Sequence, residues 1–82
     1  MMRMEDFRDR VAEMVKELKG LSEVDETMSL IESGFLDSFD IITLIARIEE
    51  DFAIRIPGED IIPENLNRYE DVASLIKRIK DE

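Results

Sequence analysis

Among the side chains of this 82-residue chain that can do chemistry, Ser38 stands out for its setting. It lies in the stretch Gly34-Phe35-Leu36-Asp37-Ser38-Phe39-Asp40, where a long connection runs into a strongly amphipathic segment. A serine nucleophile needs a base. The chain has no histidine, so a Ser-Lys pair drawn from Lys16, Lys19, Lys77 or Lys80 is the variant left to it. All four lysines read as exposed helix ends, far from the contact such a pair demands. There is no cysteine either, which removes a thiolate nucleophile, a disulfide and a thiolate metal site. Asp37-x-x-Asp40 lacks the ligand spacing of a calcium-binding loop. What remains is a serine without an evident base: an ordinary helix cap, or a residue that is modified rather than one that catalyses.

The elements around it support that view. Asp37 suits the N-cap of a helix, because its carboxylate can accept from the unpaired amides of the first turn and its charge complements the helix dipole. Asp40 stands where a capping box would carry Glu or Gln, so the box looks imperfect. Gly34 allows a turn with positive φ on the way in. Ser38 then becomes the first helical residue with its hydroxyl near solvent, and a phosphate ester there would meet the anion-favouring end of the helix. Ser and Asp are common caps on their own account, so an ordinary helix cap is the alternative for these two residues taken alone.

The frame around the serine resembles the acyl carrier and peptidyl carrier family. The residues that carry the resemblance are Gly34 to Asp40, then Ile41 to Phe52 ending in the acidic run Glu49-Glu50-Asp51, then Ile54-Arg55-Ile56-Pro57. The family places an Asp-Ser-Leu or Asp-Ser-Met triplet at the start of the second of four helices, and Phe39 is a conservative departure from it. The resemblance covers nearly the whole chain. It implies an all-α four-helix bundle of the acyl-carrier type, a long loop between helices 1 and 2, a short third helix, and a 4′-phosphopantetheine arm from coenzyme A on Ser38. It also implies a carrier, not an enzyme, that holds an acyl or aminoacyl group as a thioester. The partners implied are a phosphopantetheinyl transferase, a loading enzyme and a downstream synthase of fatty-acid, polyketide or related biosynthesis. Asp37, Phe39, Ile42, Ala46 and Glu49 are the expected contacts. An acidic helical interaction module that keeps the fold without the arm is the alternative. Thr43 and Arg47 depart from the fatty-acid members, which usually carry an acid and a small residue there. Glu59 to Leu66 looks more like the Pro-Glu-Asn-Phe pattern of peptidyl and free-standing specialised carriers. These departures imply a specialised carrier with its own partners, and a deep acyl pocket is not assumed.

Composition sets the bounds. Residues 1–82 suit one small domain, and 44% hydrophobic content is ordinary for a folded chain despite the charge. No run approaches the ~20 apolar residues of a membrane span, and the first residues show no signal-peptide core, so a cytoplasmic monomer is expected. The net charge is −10 and unevenly placed: residues 21–67 hold two basic and twelve acidic groups, while the flanks balance. That disfavours nucleic acid and favours partners with basic docking surfaces.

Periodicity places the elements. Met4, Phe7, Val11, Met14 or Val15, and Leu18 recur at helical spacing over 4–19, stopped by Gly20. Residues 21–36 are too long for a free loop in a compact domain and carry apolar anchors, so they should pack across the helices with a turn at Ser33-Gly34. Over 38–52, Ile41, Leu44, Ile45, Ile48 and Phe52 form a core stripe, and Phe39, Ile42 and Ala46 a second strip beside the serine. Glu59 to Ile62 can make one turn before Pro63, which shortens the third helix. The last helix spans 68–80, with Asn67 as its cap, Glu70 completing a box, and Tyr69 joining the core.

Overall fold

The computed structural model describes residues 2–81; Met1 and Glu82 lie outside the described residues. It is all-α: α1 spans Met4–Lys19, α2 Ser38–Phe52, α3 Pro63–Leu66 and α4 Tyr69–Lys80, with one 3₁₀ turn at Gly58–Asp60. The long connection lies between α1 and α2 and the third helix is one turn long, as the resemblance implies; the turn expected over Glu59 to Ile62 lies instead at Gly58–Asp60, and Pro63 opens the third helix, where a missing amide costs nothing.

Helix α1 ends where glycine permits it. Gly20 adopts φ +68°, and Leu21 donates its amide back to Lys16 O at 2.8 Å, so the last turn is closed by a left-handed residue. One face of α1 supplies Phe7, Val11, Met14 and Val15 to the core. Met4, expected on that face, is instead 37% exposed: it opens the helix, before the neighbouring elements close over it. Helix α4 packs along α1 and supplies Val72, Leu75, Ile76 and Tyr69, while α2 closes the other side with Leu44, Ile45, Ile48 and Phe52. The phenyl rings of Phe7 and Phe52 meet at 5.5 Å between centroids. Burying such side chains is worth about 1.5–3 kcal/mol each, which is how a chain this short holds a fold.

The connection from residue 20 to 37 is held down, and the residue that holds it is not where the sequence suggests. Leu30 and Leu36 are buried, and Leu36 donates to Leu30 O at 2.9 Å. Asn67, expected to cap α4, ends α3 and turns its side chain to the loop: Oδ1 accepts from Ile31 N at 3.2 Å and Glu32 N at 3.0 Å, while its carbonyl accepts from Leu30 N at 2.6 Å. Arg68 occupies the N-cap of α4 and makes no side-chain cap bond there, so the expected box with Glu70 is not formed. An asparagine offers the same acceptor to a cap or to a neighbouring stretch of chain, and here two loop amides outcompete its own helix for it. Leu21 and Met28 stay exposed. Gly34 makes the turn with φ +78°.

Candidate functional site

The site is the junction where this loop becomes α2. Asp37 is the N-cap: its Oδ1 accepts from Asp40 N at 2.8 Å. Asp40 answers, its Oδ2 accepting from Asp37 N at 3.2 Å. The capping box is therefore complete, although Asp40 is one methylene shorter than the usual partner. Two backbone donors that the helix start would leave unpaired are satisfied within four residues.

Ser38 lies inside this box without belonging to it. It is the first residue of α2, it is exposed, and among the described residues its hydroxyl enters no hydrogen bond. The capping work that a serine could do is done by Asp37. The hydroxyl is thus spare, solvent-facing and set at a helix N-terminus, where amides and dipole favour a phosphate.

Beside Ser38 the helix presents apolar surface to water. Phe39 and Ile42 are each 69% exposed, and Ala46 continues their strip. Apolar side chains so open are what a partner surface would cover, whereas the adjacent stripe of Leu44, Ile45 and Ile48 is spent on the core. Glu49, expected in the same contact set, is half-buried. Its Oε2 accepts from Ile56 N at 2.9 Å, so it serves the turn after α2.

The charges around the site are more organised than the sequence suggests. Arg47 is no isolated cation in an acidic surface: its Nη1 meets Glu17 Oε2 at 3.0 Å, tying α2 to α1. Arg10 pairs with Asp51 across the same two helices and lies over the Phe52 ring. Lys19 does not end α1 in solvent either. Its Nζ donates to Asp40 Oδ2 at 3.0 Å and stands 5.3 Å from the centroid of the Phe35 ring. The Lys19 ammonium, and then the Asp37 amide, hold the Asp40 carboxyl below the usual carboxylate range. Sequence spacing missed this pair, since its partners are 21 positions apart and on different helices. None of the lysines is placed as a base for Ser38: Lys16 meets Glu13, Lys77 meets Asp81, and Lys80 donates to Phe52 O.

Among the described residues no cluster of carboxylates is arranged to hold a metal ion, and no helix is long and apolar enough to cross a membrane.

Comparison with known proteins shows the family. Residues 9–79 match the family model described as a phosphopantetheine attachment site. The chain is similar to a D-alanyl carrier protein of Lactococcus lactis subsp. lactis (strain IL1403), at 30% identity over 78 residues, covering 93% of this chain and 99% of that protein.

Proposed function

The chain belongs to the phosphopantetheine-attachment family of carrier proteins, and from that premise we propose that Ser38 is its attachment point and an aminoacyl group its cargo. When bound, a 4′-phosphopantetheine arm supplies a thiol that holds a carboxylic acid as a thioester, chemistry this cysteine-free chain lacks. Families of this kind are carriers rather than catalysts, and the residues here suit that part: they hold a hydroxyl out, fix its turn and offer a docking strip.

The observation that carries the attachment point is the division of labour at the helix start. Asp37 and Asp40 pair each other's backbone amides, and Ser38 is left exposed with nothing to hold. Asp37, Phe39, Ile42 and Ala46 surround it as the contact surface for a phosphopantetheinyl transferase and for the loading enzyme. Glu49 belongs to that set only through whatever its bond to Ile56 N leaves accessible. A tether raises the cargo's effective concentration at the partner's active site, so the carrier needs only a modest docking affinity. The acidic middle of the chain favours partners whose docking faces are basic.

Two observations favour an aminoacyl cargo over a long fatty acyl chain. One is the similarity to a D-alanyl carrier along nearly all of that protein's length. The other is the interior. Val11, Val15, Leu30, Ile48, Val72 and Ile76 are fully enclosed, and the groove of about 580 Å³ between α1 and α2 is open and lined by Arg10, Glu13, Met14, Glu17, Arg47, Glu50 and Asp51. A charged groove is a poor host for an alkyl chain. One-turn α3 also offers little wall for a deep channel.

The test is loading in two steps. The protein is first treated with coenzyme A and a broad-specificity transferase, and peptide mapping locates the added group. The product is then offered D-alanine with ATP and a D-alanine-activating ligase or, in parallel, a long-chain fatty acid with an acyl-activating enzyme. The expected result is the arm on the peptide containing Ser38 and a hydroxylamine-labile D-alanyl adduct. An arm elsewhere, or fatty acyl loading with no aminoacyl loading, would overturn the proposal.

A further inference from the structure

Eight ion pairs join described residues, and only one has both side chains below a third exposed: Lys19–Asp40, at 28% and 15%. The others lie open on at least one side and are worth little. This one also touches the serine's own turn. The Asp40 oxygen that accepts from Lys19 Nζ is Oδ2, the same atom that accepts from Asp37 N. The ammonium additionally lies over Phe35, two residues before the cap, within reach of a cation–π attraction. A single cation from the end of α1 therefore grips both flanks of Ser38: the loop that enters and the helix that leaves.

We propose that Lys19 is a positioning residue for the modification of Ser38. By pinning Asp40 Oδ2 across the Asp37 amide and holding Phe35 beneath it, Lys19 keeps the serine's turn in one conformation for the incoming phosphoryl group. The inference rests on Ser38 being the attachment point. In the transfer, the Ser38 oxygen forms a bond to the pantetheine-bearing phosphorus of coenzyme A. The bond from that phosphorus to the bridging oxygen breaks, adenosine 3′,5′-bisphosphate leaves, and the hydroxyl proton passes to a base of the transferase. A serine already held still loses less orientational freedom on the way to that transition state. Lys19 also offsets a charge conflict, since the phosphodiester adds a negative charge beside Asp37 and Asp40.

Positioning has a kinetic signature that plain stabilisation lacks. Lys19→Gln, Lys19→Arg and the control Lys16→Gln, which removes an open pair one turn earlier in the same helix, are compared for arm transfer from coenzyme A by intact mass. Temperature is kept well below every variant's Tm. In Lys19→Gln, kcat should fall about tenfold while KM for the carrier changes by less than about twofold, because the docking strip is untouched. Lys19→Arg should recover most of the rate, and Lys16→Gln should match the wild type. Hydrogen exchange at the Asp37 amide of the unmodified protein reads the clamp without any transferase, and Lys19→Gln should speed it. Wild-type kcat in Lys19→Gln, an effect confined to KM, equal slowing in Lys16→Gln, or unchanged Asp37 exchange would each overturn the proposal. Failure of the wild type to accept the arm would instead overturn the attachment reading on which it rests, and the exchange measurement keeps the two failures apart.

Discussion

At its N-terminus α2 leaves groups open; at its C-terminus it closes them. The opening turn has two of its amides satisfied by Asp37 and Asp40, yet it shows water a spare hydroxyl, a phenyl ring and an isoleucine. The closing turn buries Phe52 and Ile56. It draws Glu49 inward onto Ile56 N, accepts Lys80 Nζ at Phe52 O, and forces Ala53 into the left-handed region at φ +56°. Both ends are firmly held, so order alone does not distinguish them. The difference lies in what the holding leaves over. A carboxylate spent on a backbone amide at one end anchors the core; a carboxylate spent likewise at the other frees the serine beside it.

That contrast is open to direct attack. The largest effect should come from the open end: Phe39→Asp or Ile42→Asp should cut the kcat/KM of arm transfer or loading by about 10- to 100-fold, the loss of a well-covered contact, while leaving Tm nearly unchanged. A matching fall in Tm would mean that the strip belongs to the core. At the closed end the order reverses. Glu49→Ala should destabilise by about 1–3 kcal/mol, because Ile56 N loses its partner in a half-buried turn, and chemical denaturation reads this directly. Ala53→Gly should raise stability by up to about 1 kcal/mol, since glycine takes a positive φ without the Cβ penalty.

The smallest effects are in pH. The Asp40 carboxyl is held below its unfolded value, so its contribution is present above the ordinary carboxylate range and is lost as pH falls through the lowered folded value; Lys19→Gln should flatten that acid limb. Burial, followed by the charges of Glu26 and Asp25, pushes the Tyr69 phenol up from 10.0 to about 12. Its contribution is complete below pH 10 and is lost as pH rises from there towards 12, an alkaline limb that Tyr69→Phe should remove. Denaturation midpoints measured across pH would show both.

Much of the fold was legible from spacing, for physical reasons. The apolar stripes of α1, α2 and α4 repeat at helical period, and such stripes must face a core. Gly20 and Gly34 marked turns that do adopt positive φ. The second strip of Phe39, Ile42 and Ala46 was legible because α2 has more apolar arc than one buried face needs; that it faces solvent is seen only in the fold. What stayed hidden were contacts between residues distant in the chain. Asn67 had the right type and place for a cap, and only the folded loop shows two amides claiming its side chain. Lys19 looked like a solvated helix end until α2 brought Asp40 beneath it. Arg47 likewise looked out of place until α1 supplied Glu17. Local pattern encodes faces and caps; which distant partner a polar group finds is decided by packing.

The central claim is that the start of α2 assigns capping to Asp37 and chemistry to Ser38. It is tested most directly by one paired measurement, intact mass after treatment with coenzyme A and a transferase alongside Tm, on Ser38→Ala and Asp37→Ala. The account predicts that Ser38→Ala gains no mass and keeps its Tm, while Asp37→Ala loses about 0.5–2 kcal/mol of stability through its cap yet still accepts the arm. Arm addition to Ser38→Ala, or a stability loss in Ser38→Ala as large as that in Asp37→Ala, would contradict it.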